Sequence, residues 1–442
     1  MPTDLDNKVH SAFSPAPLTP EETDTLYEDL DGVRGGYHCA SQLREIILRE
    51  GDHPSCQLLA GHVGSGKSTA LAKLRRQLDQ AGDAYVFAFN AEQALGRDDL
   101  DAPNLLLALS NALRAHLHKQ EGIWLGSRPL DRFKKRCQRT FNAEIRIRGA
   151  KAKAPFGEAN VTIEQHADYR RIVRNHVGAE PGTLTEAINE LLRDAAARLA
   201  AKNKPRRLVL TIDGLDKMSN AAAPNVEPPA ERLFIGRAME LTALQCHVVY
   251  TIPLDLAYST LSLPLSERYH RDPWVIPMVT VAPRPPATTV DKRAAAGRQA
   301  LRGLVHRRLD RAGVAEGDVF ADGALDMLIK FTGGNPSGLM TWIQEAAASS
   351  PLPIGKDVID AAVTAYRTRH HRRLTAEHTP LLLEALSRGQ VTRTTDNECA
   401  WRELVTSGSL LIYLDDREWY GVNPVIDTGS LPGAPLALAE AT

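Results

Sequence analysis

The residues best suited to chemistry lie together in the stretch Gln57–Thr69, which reads QLLAGHVGSGKST. Its second part matches G-x-x-x-x-G-K-[ST], the pattern of a glycine-rich loop that binds phosphate. Glycines let such a loop turn its backbone N–H groups towards phosphate oxygens, at the positive end of the following helix. The lysine reaches the outer phosphates and the first hydroxyl binds Mg²⁺. The predicted phosphate-binding residues are Gly61, Gly64, Ser65, Gly66, Lys67, Ser68 and Thr69.

Two regular elements must hold this loop in place. Residues 58–60 are apolar and predict a buried strand, and leucines at helical spacing predict a helix over residues 69–80 that stops at Gly82. An ordinary glycine-rich turn is the alternative interpretation. The flanking strand and helix favour the phosphate-binding loop, because they are the setting in which this motif works.

A second motif lies further along the chain, where Arg207–Asp216 reads RLVLTIDGLD. Apolar residues that end in an aspartate describe a buried strand whose carboxylate emerges at the edge of a sheet. Downstream of a phosphate-binding loop, Asp213 is expected to bind Mg²⁺ through water, and Asp216 is the next acid. Further strands are predicted at 85–89, 246–251 and 274–281, with helices between them. This alternation predicts an α/β fold with a parallel sheet covered by helices.

The pattern of residues changes along the chain and divides it into five predicted segments. Prolines and few apolar residues mark the N-terminal lead-in, and the pattern becomes helical after the fifth strand, with one break at Phe331–Pro336. Two helices followed by a hairpin then predict a winged helix. The segments are a disordered lead-in over 1–18, a nucleotide domain over 19–285, a helical lid over 286–370, a winged helix over 371–425 and a tail over 426–442.

Two basic runs stand apart from this scheme. Residues 132–153 carry nine Lys or Arg against one acid, within a predicted β-hairpin insert near 130–165. The second run is 367–373, RTRHHRR, directly before the predicted winged helix. Such runs could give weak contact with nucleic-acid phosphates or bind an acidic partner. For the hairpin, a solvated surface is the alternative.

Composition limits the classes of partner. The chain has 442 residues, 43% hydrophobic and 24% charged, with a net charge of -1, so its overall charge attracts neither nucleic acid nor an anionic membrane. No apolar run is long enough to span a bilayer, and no membrane association is expected. The five cysteines have no metal-like spacing, which favours a reducing cytoplasm: Cys39, Cys56, Cys137, Cys246 and Cys399.

With these stretches together, the chain resembles the P-loop ATPases of the AAA+ and STAND group over about residues 30–425. The resemblance implies ATP and Mg²⁺ as cofactors, with GHVGSGKST as Walker A and LVLTIDGLD as Walker B. It implies that Thr251 is the sensor 1 residue that detects the γ-phosphate, and that Pro336 packs near the adenine. It also implies that Arg268, with Arg271 as a near alternative, is an arginine finger acting between subunits.

The sequence departs from that group at several positions. Gly214 stands where many members carry a glutamate that polarises water, so we expect slow hydrolysis with Asp216 as the acid for the water. Ser337 stands where many lids offer a sensor 2 arginine. Residues 422–424 offer no histidine to the nucleotide, unlike STAND switches. No G-R-E signature precedes the loop, where Gly32–Arg34 is a poor substitute.

Three classes of function fit these observations unequally. The leading hypothesis is an ATP-dependent molecular switch that controls a partner protein, as in bacterial signalling or anti-phage defence, with self-association into a homo-oligomer if the arginine finger is used. The alternative is a DNA-associated ATPase of the loader or transposition-targeting type. A small-molecule kinase is disfavoured, because nothing after the aspartate motif offers a pocket for an acceptor.

Overall fold

The computed structural model describes the chain in six stretches and divides it into two compact units. One unit, here called the sheet unit, comprises residues 41–60 and 74–274. The other, called the loop–lid unit, comprises residues 1–40, 61–73 and 275–442. The predicted hairpin insert near 130–165 and the basic run 132–153 lie outside the described residues. The described stretches are 3–19, 22–96, 100–126, 181–218, 227–286 and 291–433.

The predicted α/β sheet is confirmed. It has five strands in the order β2-β3-β4-β1-β5, and the pairs β2–β3, β3–β4 and β4–β1 are parallel. Strands β3 and β4 are buried along almost their whole length, as expected for parallel strands covered on both faces. The strands are β1 Cys56–Gly61, β2 Tyr85–Asn90, β3 Leu208–Asp213, β4 His247–Thr251 and β5 Trp274–Ile276.

Helices α3 to α11 flank these strands in the chain. The predicted helix over 69–80 is present as α4, and α6 and α7 are among the helices expected between the further strands. Asp101 caps α6, and Pro103 lies in its first turn, where a missing N–H is tolerated. The bounds are α3 Cys39–Glu50, α4 Lys67–Ala81, α5 Ala91–Leu95, α6 Ala102–Glu121, α7 Pro181–Ala201, α8 Pro229–Phe234, α9 Ala238–Thr242, α10 Leu254–Ala257 and α11 Ser262–Tyr269.

The fifth strand is shorter than the predicted range 274–281. It stops at Ile276 because Pro277 follows, and proline has no N–H to continue a ladder. Beyond the proline the chain pairs elsewhere, since the Met278 N–H donates to the Ile412 carbonyl oxygen over 3.0 Å. The strand ends where the chain enters the loop–lid unit.

The prediction of a disordered lead-in over 1–18 is wrong. Residues Asp4–Ala12 form helix α1, which begins with a capping box between Thr3 and Asp6. Val9 and Phe13 are fully buried, and the Phe13 ring packs edge-on against Phe320 at 6.4 Å. The few apolar residues of this segment are spaced to lie on one side of a helix, so packing orders it despite its polar composition. A short helix, α2 Thr23–Leu26, follows.

The predicted helical segment begins in the loop–lid unit after Asp291, which caps α12. It breaks at Thr332–Asn335, within the predicted interruption, and a short parallel bridge between Phe320 and Ile354 joins two of its connections. No helix in the described part of the chain is both long and apolar enough to cross a membrane. The bounds are α12 Lys292–Ala312, α13 Glu316–Val319, α14 Ala324–Phe331, α15 Pro336–Ser349 and α16 Lys356–His371.

The C-terminal module, residues 371–425, has the predicted order of two helices and a hairpin. Helices α17 Thr379–Arg388 and α18 Glu398–Ser407 precede the antiparallel strands β6 Leu410–Leu414 and β7 Glu418–Val422. Classification of this module as a winged helix stays a prediction. The predicted tail begins later than 426, because Ile426 and Leu431 are buried. Residues 434–442 lie outside the described chain.

Candidate nucleotide site

The phosphate-binding loop lies between β1 and α4, and its lysine is turned inward. Lys67 is 5% exposed, and its Nζ donates to the carbonyl oxygens of Gly61 at 2.7 Å and His62 at 3.0 Å. Both acceptors belong to the loop itself, so the loop curls around the ammonium group. Ser68 and Thr69 follow in the first turn of α4. The lysine is therefore placed at the positive end of a helix, where phosphate binds favourably.

A buried arginine that precedes the sheet supports the middle of this loop. Arg34 is 6% exposed, and its Nη2 donates to the Ser65 carbonyl oxygen over 2.6 Å. Burial lowers the pKa of Arg34 to about 10, with Asp31 opposing the shift, so the guanidinium remains charged at neutral pH. Sequence reasoning dismissed Gly32–Arg34 because it lacks the G-R-E signature. The positive charge of Arg34 was the only signal that could have pointed to a role at the phosphate-binding loop.

The break in the helical segment also contacts the loop. Asn335 caps α15 through its Oδ1, and its Nδ2 donates to the Val63 carbonyl oxygen over 2.9 Å. The Ser337 N–H donates to the Gly64 carbonyl oxygen over 3.3 Å. Gly64 has φ +83°, and a Cβ there would overlap the Asn335 side chain, so this position requires glycine. Pro336, predicted to lie near the adenine, is thus held between two residues that bind the phosphate loop.

Two buried polar atoms at the loop provide a test of whether phosphate fits. Ser65 Oγ and Arg34 Nε are both buried and have no hydrogen-bond partner in the described chain. Buried polar groups in native proteins are normally paired, and an exception calls for an acceptor or donor from outside the chain. A phosphate group would supply acceptor oxygens for both. The residues present therefore fit a bound nucleotide.

One loop residue contacts the C-terminal module. His62 is 4% exposed, and its Nε2 accepts the Ile412 N–H over 3.0 Å. Burial, followed by the charge of Lys67, lowers the pKa of His62 to about 3, so the ring is neutral. Sequence reasoning treated His62 as a variable position of the motif, because the pattern allows any residue there.

The strand-end residues form a second cluster, within the sheet unit. The register sets Asn90 opposite Asp213 and Leu59 opposite Thr251, so β1 to β4 end at the same edge of the sheet. Thr251 is fully buried, and its Oγ1 accepts the Leu215 N–H over 3.3 Å. Thr251 therefore holds the turn that follows Asp213. Asp216 lies in this turn and is partly exposed.

The residue after Asp213 is glycine for a steric reason. Gly214 has φ +85°, and a Cβ there would lie 3.0 Å from both Asn90 Oδ1 and Glu92 Cβ. A glutamate at position 214 would therefore be strained and crowded. The nearest alternative acid is Glu92 itself, whose Oε2 accepts from Lys217 Nζ over 2.7 Å. Sequence reasoning did not consider Glu92, because it follows a different strand.

Two of the predicted site residues offer the hard oxygen ligands that Mg²⁺ prefers. Ser68 supplies a hydroxyl in the first turn of α4, and Asp213 supplies a carboxylate at the end of β3. Both side chains are partly exposed. Within the described residues, no group of three or more His, Cys, Asp or Glu side chains could hold a metal. At either residue, Mg²⁺ would take its other ligands from phosphate and water.

The predicted arginine finger lies on a surface of the sheet unit. Arg268 is exposed in the last turn of α11, and its Nη1 donates to the Pro264 carbonyl oxygen over 3.2 Å. Arg271, the alternative, is also exposed. A surface arginine of this kind can reach a neighbouring molecule.

Residues 41–226 match the family model of the AAA ATPase domain. Among curated proteins there is no match to this chain. Three solved structures are similar, and the first is the ORC2 protein of Aeropyrum pernix, with 11% sequence identity and a TM-score of 0.42 over 91% of this chain and 92% of that chain. The second is a Walker-type ATPase of Pyrococcus abyssi, with 14% identity and a TM-score of 0.39 over 94% of this chain and 98% of that chain. The third is Cdc6p from Pyrobaculum aerophilum, with 12% identity and a TM-score of 0.38 over 94% of each chain.

Likenesses of that degree carry no functional argument. The family match rests on the segment that contains both nucleotide motifs, the loop around Lys67 and the strand that ends in Asp213. The described geometry agrees with it, since β1 of a parallel sheet leads into the glycine-rich loop at the N-terminus of α4. Over residues 41–226 this chain is therefore similar to the AAA ATPase domain of P-loop ATPases.

Proposed function

We propose that this protein is a Mg²⁺-ATP-dependent molecular switch, which controls a partner protein by changing how its C-terminal module is held. ATP binds at the loop around Lys67. The proposed Mg²⁺ ligands are Ser68 and Asp213, and Thr251 supports the turn that carries Asp216. The protein acts in the manner of STAND switches, in bacterial signalling or anti-phage defence, and hydrolyses ATP slowly.

The observation that carries this proposal is the set of contacts on one short loop. The N-terminal segment reaches it through Arg34, the helical segment through Asn335, and the C-terminal module through Ile412. A ligand that reorders five or six loop residues would alter hydrogen bonds to all three segments at once. That is what a switch requires, because a ligand moves an equilibrium only through contacts that differ between states.

Slow hydrolysis is expected because glycine, and not glutamate, directly follows Asp213. Gly214 cannot polarise water, and the surrounding side chains leave little space for an acid at that position. Asp216 is the proposed acid for the water. In our proposal the bound nucleotide persists long enough to define a state, and turnover resets it.

Contact with nucleic acid is a second candidate, supported by the basic run 367–373. Arg367, Arg372 and His371 line an open groove at the end of α16 together with Thr368 and Ser430. None of the four arginines of the run has a carboxylate partner within the described residues. Cations along one groove, here Arg367 and Arg372, suit a chain of phosphates, and such binding would be weak and sensitive to salt.

Calorimetry with Mg²⁺-ATP tests the primary proposal. Lys67→Ala removes the charge that meets the outer phosphates, and we expect at least about a 100-fold loss of affinity. Lys119→Ala, an exposed lysine on α6, is the matched control and should bind like the wild type. Wild-type affinity in Lys67→Ala would show that the site is misassigned.

A further inference from the structure

Two of the hydrogen bonds that His62 makes lead to different parts of the chain. Its backbone carbonyl oxygen accepts from Lys67 Nζ at 3.0 Å, and its ring Nε2 accepts the Ile412 N–H at 3.0 Å. The same residue therefore touches the lysine that would meet phosphate and the strand β6 of the C-terminal module. Because Nε2 is the acceptor and the ring is neutral, its proton is on Nδ1.

The module side of this contact is well ordered by other bonds. Ile412 faces Tyr420 across the hairpin, and its carbonyl oxygen accepts the Met278 N–H over 3.0 Å. The next residue, Tyr413, donates its hydroxyl to the Gly333 carbonyl oxygen over 2.8 Å and stacks on Trp419 at 4.3 Å. The position of β6 is thus held by the backbone groups of Ile412 and by the side chain of Tyr413, which a substitution in the hairpin turn leaves in place.

A cavity beside this contact leaves room for the loop to change. It has a volume of about 240 Å³, and its walls include His62 and Val63 from the loop and Leu411 and Asn423 from the module. Val63 is 63% exposed, although the residue before it is buried. Close-packed interiors resist movement, so space at this position lowers the barrier to shifting residues 62 and 63.

We propose that His62 couples the two sites, so that ATP binding loosens the hold of the loop on β6. Phosphate draws Lys67 Nζ away from the carbonyl oxygens of Gly61 and His62, residue 62 shifts towards the cavity, and its ring releases the Ile412 N–H. The inference rests on the proposed function, because it requires ATP at Lys67. It assigns the coupling to the loop, whereas STAND switches place a histidine in the module.

Linkage makes the coupling reciprocal. If ATP weakens the contact between His62 and β6 by some factor, loss of that contact strengthens ATP binding by the same factor. One hydrogen bond of this kind corresponds to about a 2- to 10-fold effect. The relevant variants are His62→Phe, which keeps a ring but removes the acceptor, and His62→Gln, which keeps an acceptor. Arg417→Ala, an exposed change in the hairpin turn, leaves both hydrogen bonds intact.

Hydrogen exchange of the peptide covering 410–416, measured with and without Mg²⁺-ATP, tests the proposal on the full chain. In wild type and Arg417→Ala, ATP should accelerate exchange about 2- to 10-fold. His62→Phe should exchange fast without ATP, fail to respond to it, and bind ATP about 2- to 10-fold more tightly. His62→Gln should retain the response.

Calorimetry on the same samples distinguishes failure of the coupling from failure of the proposed function. ATP binding with unchanged exchange in wild-type protein overturns the coupling and leaves the proposed function intact. Absence of ATP binding overturns the proposed function and the coupling with it. If His62→Phe fails to fold, the wild-type response and its retention in His62→Gln decide the question.

Discussion

Arg34 and Ser65 are joined by a 2.6 Å hydrogen bond from the guanidinium Nη2 to a backbone carbonyl oxygen in the middle of the phosphate-binding loop. Arg34 is buried, and a second nitrogen, Nε, has no partner in the described chain. The arginine therefore both fixes the loop backbone and has a donor to spare for a ligand. A cation in this place increases the affinity for phosphate.

Replacement of Arg34 tests that double role. Arg34→Met leaves the Ser65 carbonyl unsatisfied and should lower the free energy of unfolding by about 1–3 kcal/mol, and ATP should protect the variant less against heat than it protects wild type. Thermal denaturation with and without Mg²⁺-ATP measures both effects. An equal ATP-induced shift in variant and wild type would restrict Arg34 to a structural role.

The two aspartates of the strand-end cluster should contribute unequally to ATP turnover. Asp213→Asn removes a metal ligand and should abolish measurable turnover, whereas Asp216→Asn should lower it by about 10²-fold, the smaller of these effects. Steady-state phosphate release gives the ranking. Turnover of Asp216→Asn at the wild-type rate would exclude it as the acid for water. Glu92→Gln is then the next variant, because Glu92 lies beside Gly214.

Arg268 is expected to act on a neighbouring subunit. Arg268→Ala should bind ATP normally but turn over about 10³-fold more slowly, the usual effect of losing an arginine finger supplied in trans. Arg271→Ala, a nearby exposed arginine, serves as the comparison. The rate per molecule should also rise with protein concentration in wild type. A constant rate per molecule, with no effect of Arg268→Ala, would indicate a monomeric ATPase.

The C-terminal module should contact protein more strongly than DNA. Its helix α18 offers Arg402 against Glu398 and Glu403, and the turn of its hairpin carries Asp415 and Asp416, which phosphate would repel. Deletion of residues 375–442 should therefore change the ATPase rate or partner binding more than DNA affinity. Loss of sequence-specific DNA binding with an unchanged ATPase rate would favour the DNA-associated alternative.

Any DNA affinity is expected to come from the basic run. Arg372→Gln with Arg373→Gln should remove most of it and reduce the slope of log affinity against log salt by about 2, because each phosphate contact contributes about 0.9. Arg367 and Arg369 are poorer targets, since one donates to the Val425 carbonyl and the other stacks on Tyr366. A labelled-duplex shift measured across salt concentrations checks this, with Lys119→Gln as control.

His62 should make stability depend on pH. Its pKa is lowered from 6.5 to about 3 in the folded chain, so the folded state stays neutral while the unfolded state takes up a proton. The neutral His62 ring therefore contributes to the free energy of unfolding fully above about pH 6.5. This contribution decreases as the pH falls towards 3, and about 1.4 kcal/mol of it is lost at pH 5.5. Chemical denaturation of wild type and His62→Gln measures it. The difference between them should shrink with acid, and a pH-independent difference would contradict the shift.

The sequence determined the elements that depend on local pattern. The runs 58–60 and 207–213 carry their own apolar periodicity, and the glycines of the loop have a conformational role that needs no distant contact. For that reason β1, α4 and β3 appear close to their predicted bounds. The order of two helices and a hairpin in the C-terminal module was likewise readable from the chain.

Only the tertiary structure decided which distant residues meet the loop. Arg34, Asn335 and Ile412 lie tens to hundreds of residues away from it in the sequence. Each of the three contacts uses a backbone atom on one side, and backbone atoms are the same in every residue. The burial of Val9 and Phe13 likewise depends on a surface formed by the helical segment. Side-chain type alone cannot reveal such contacts, because the free energy that selects them comes from packing between segments.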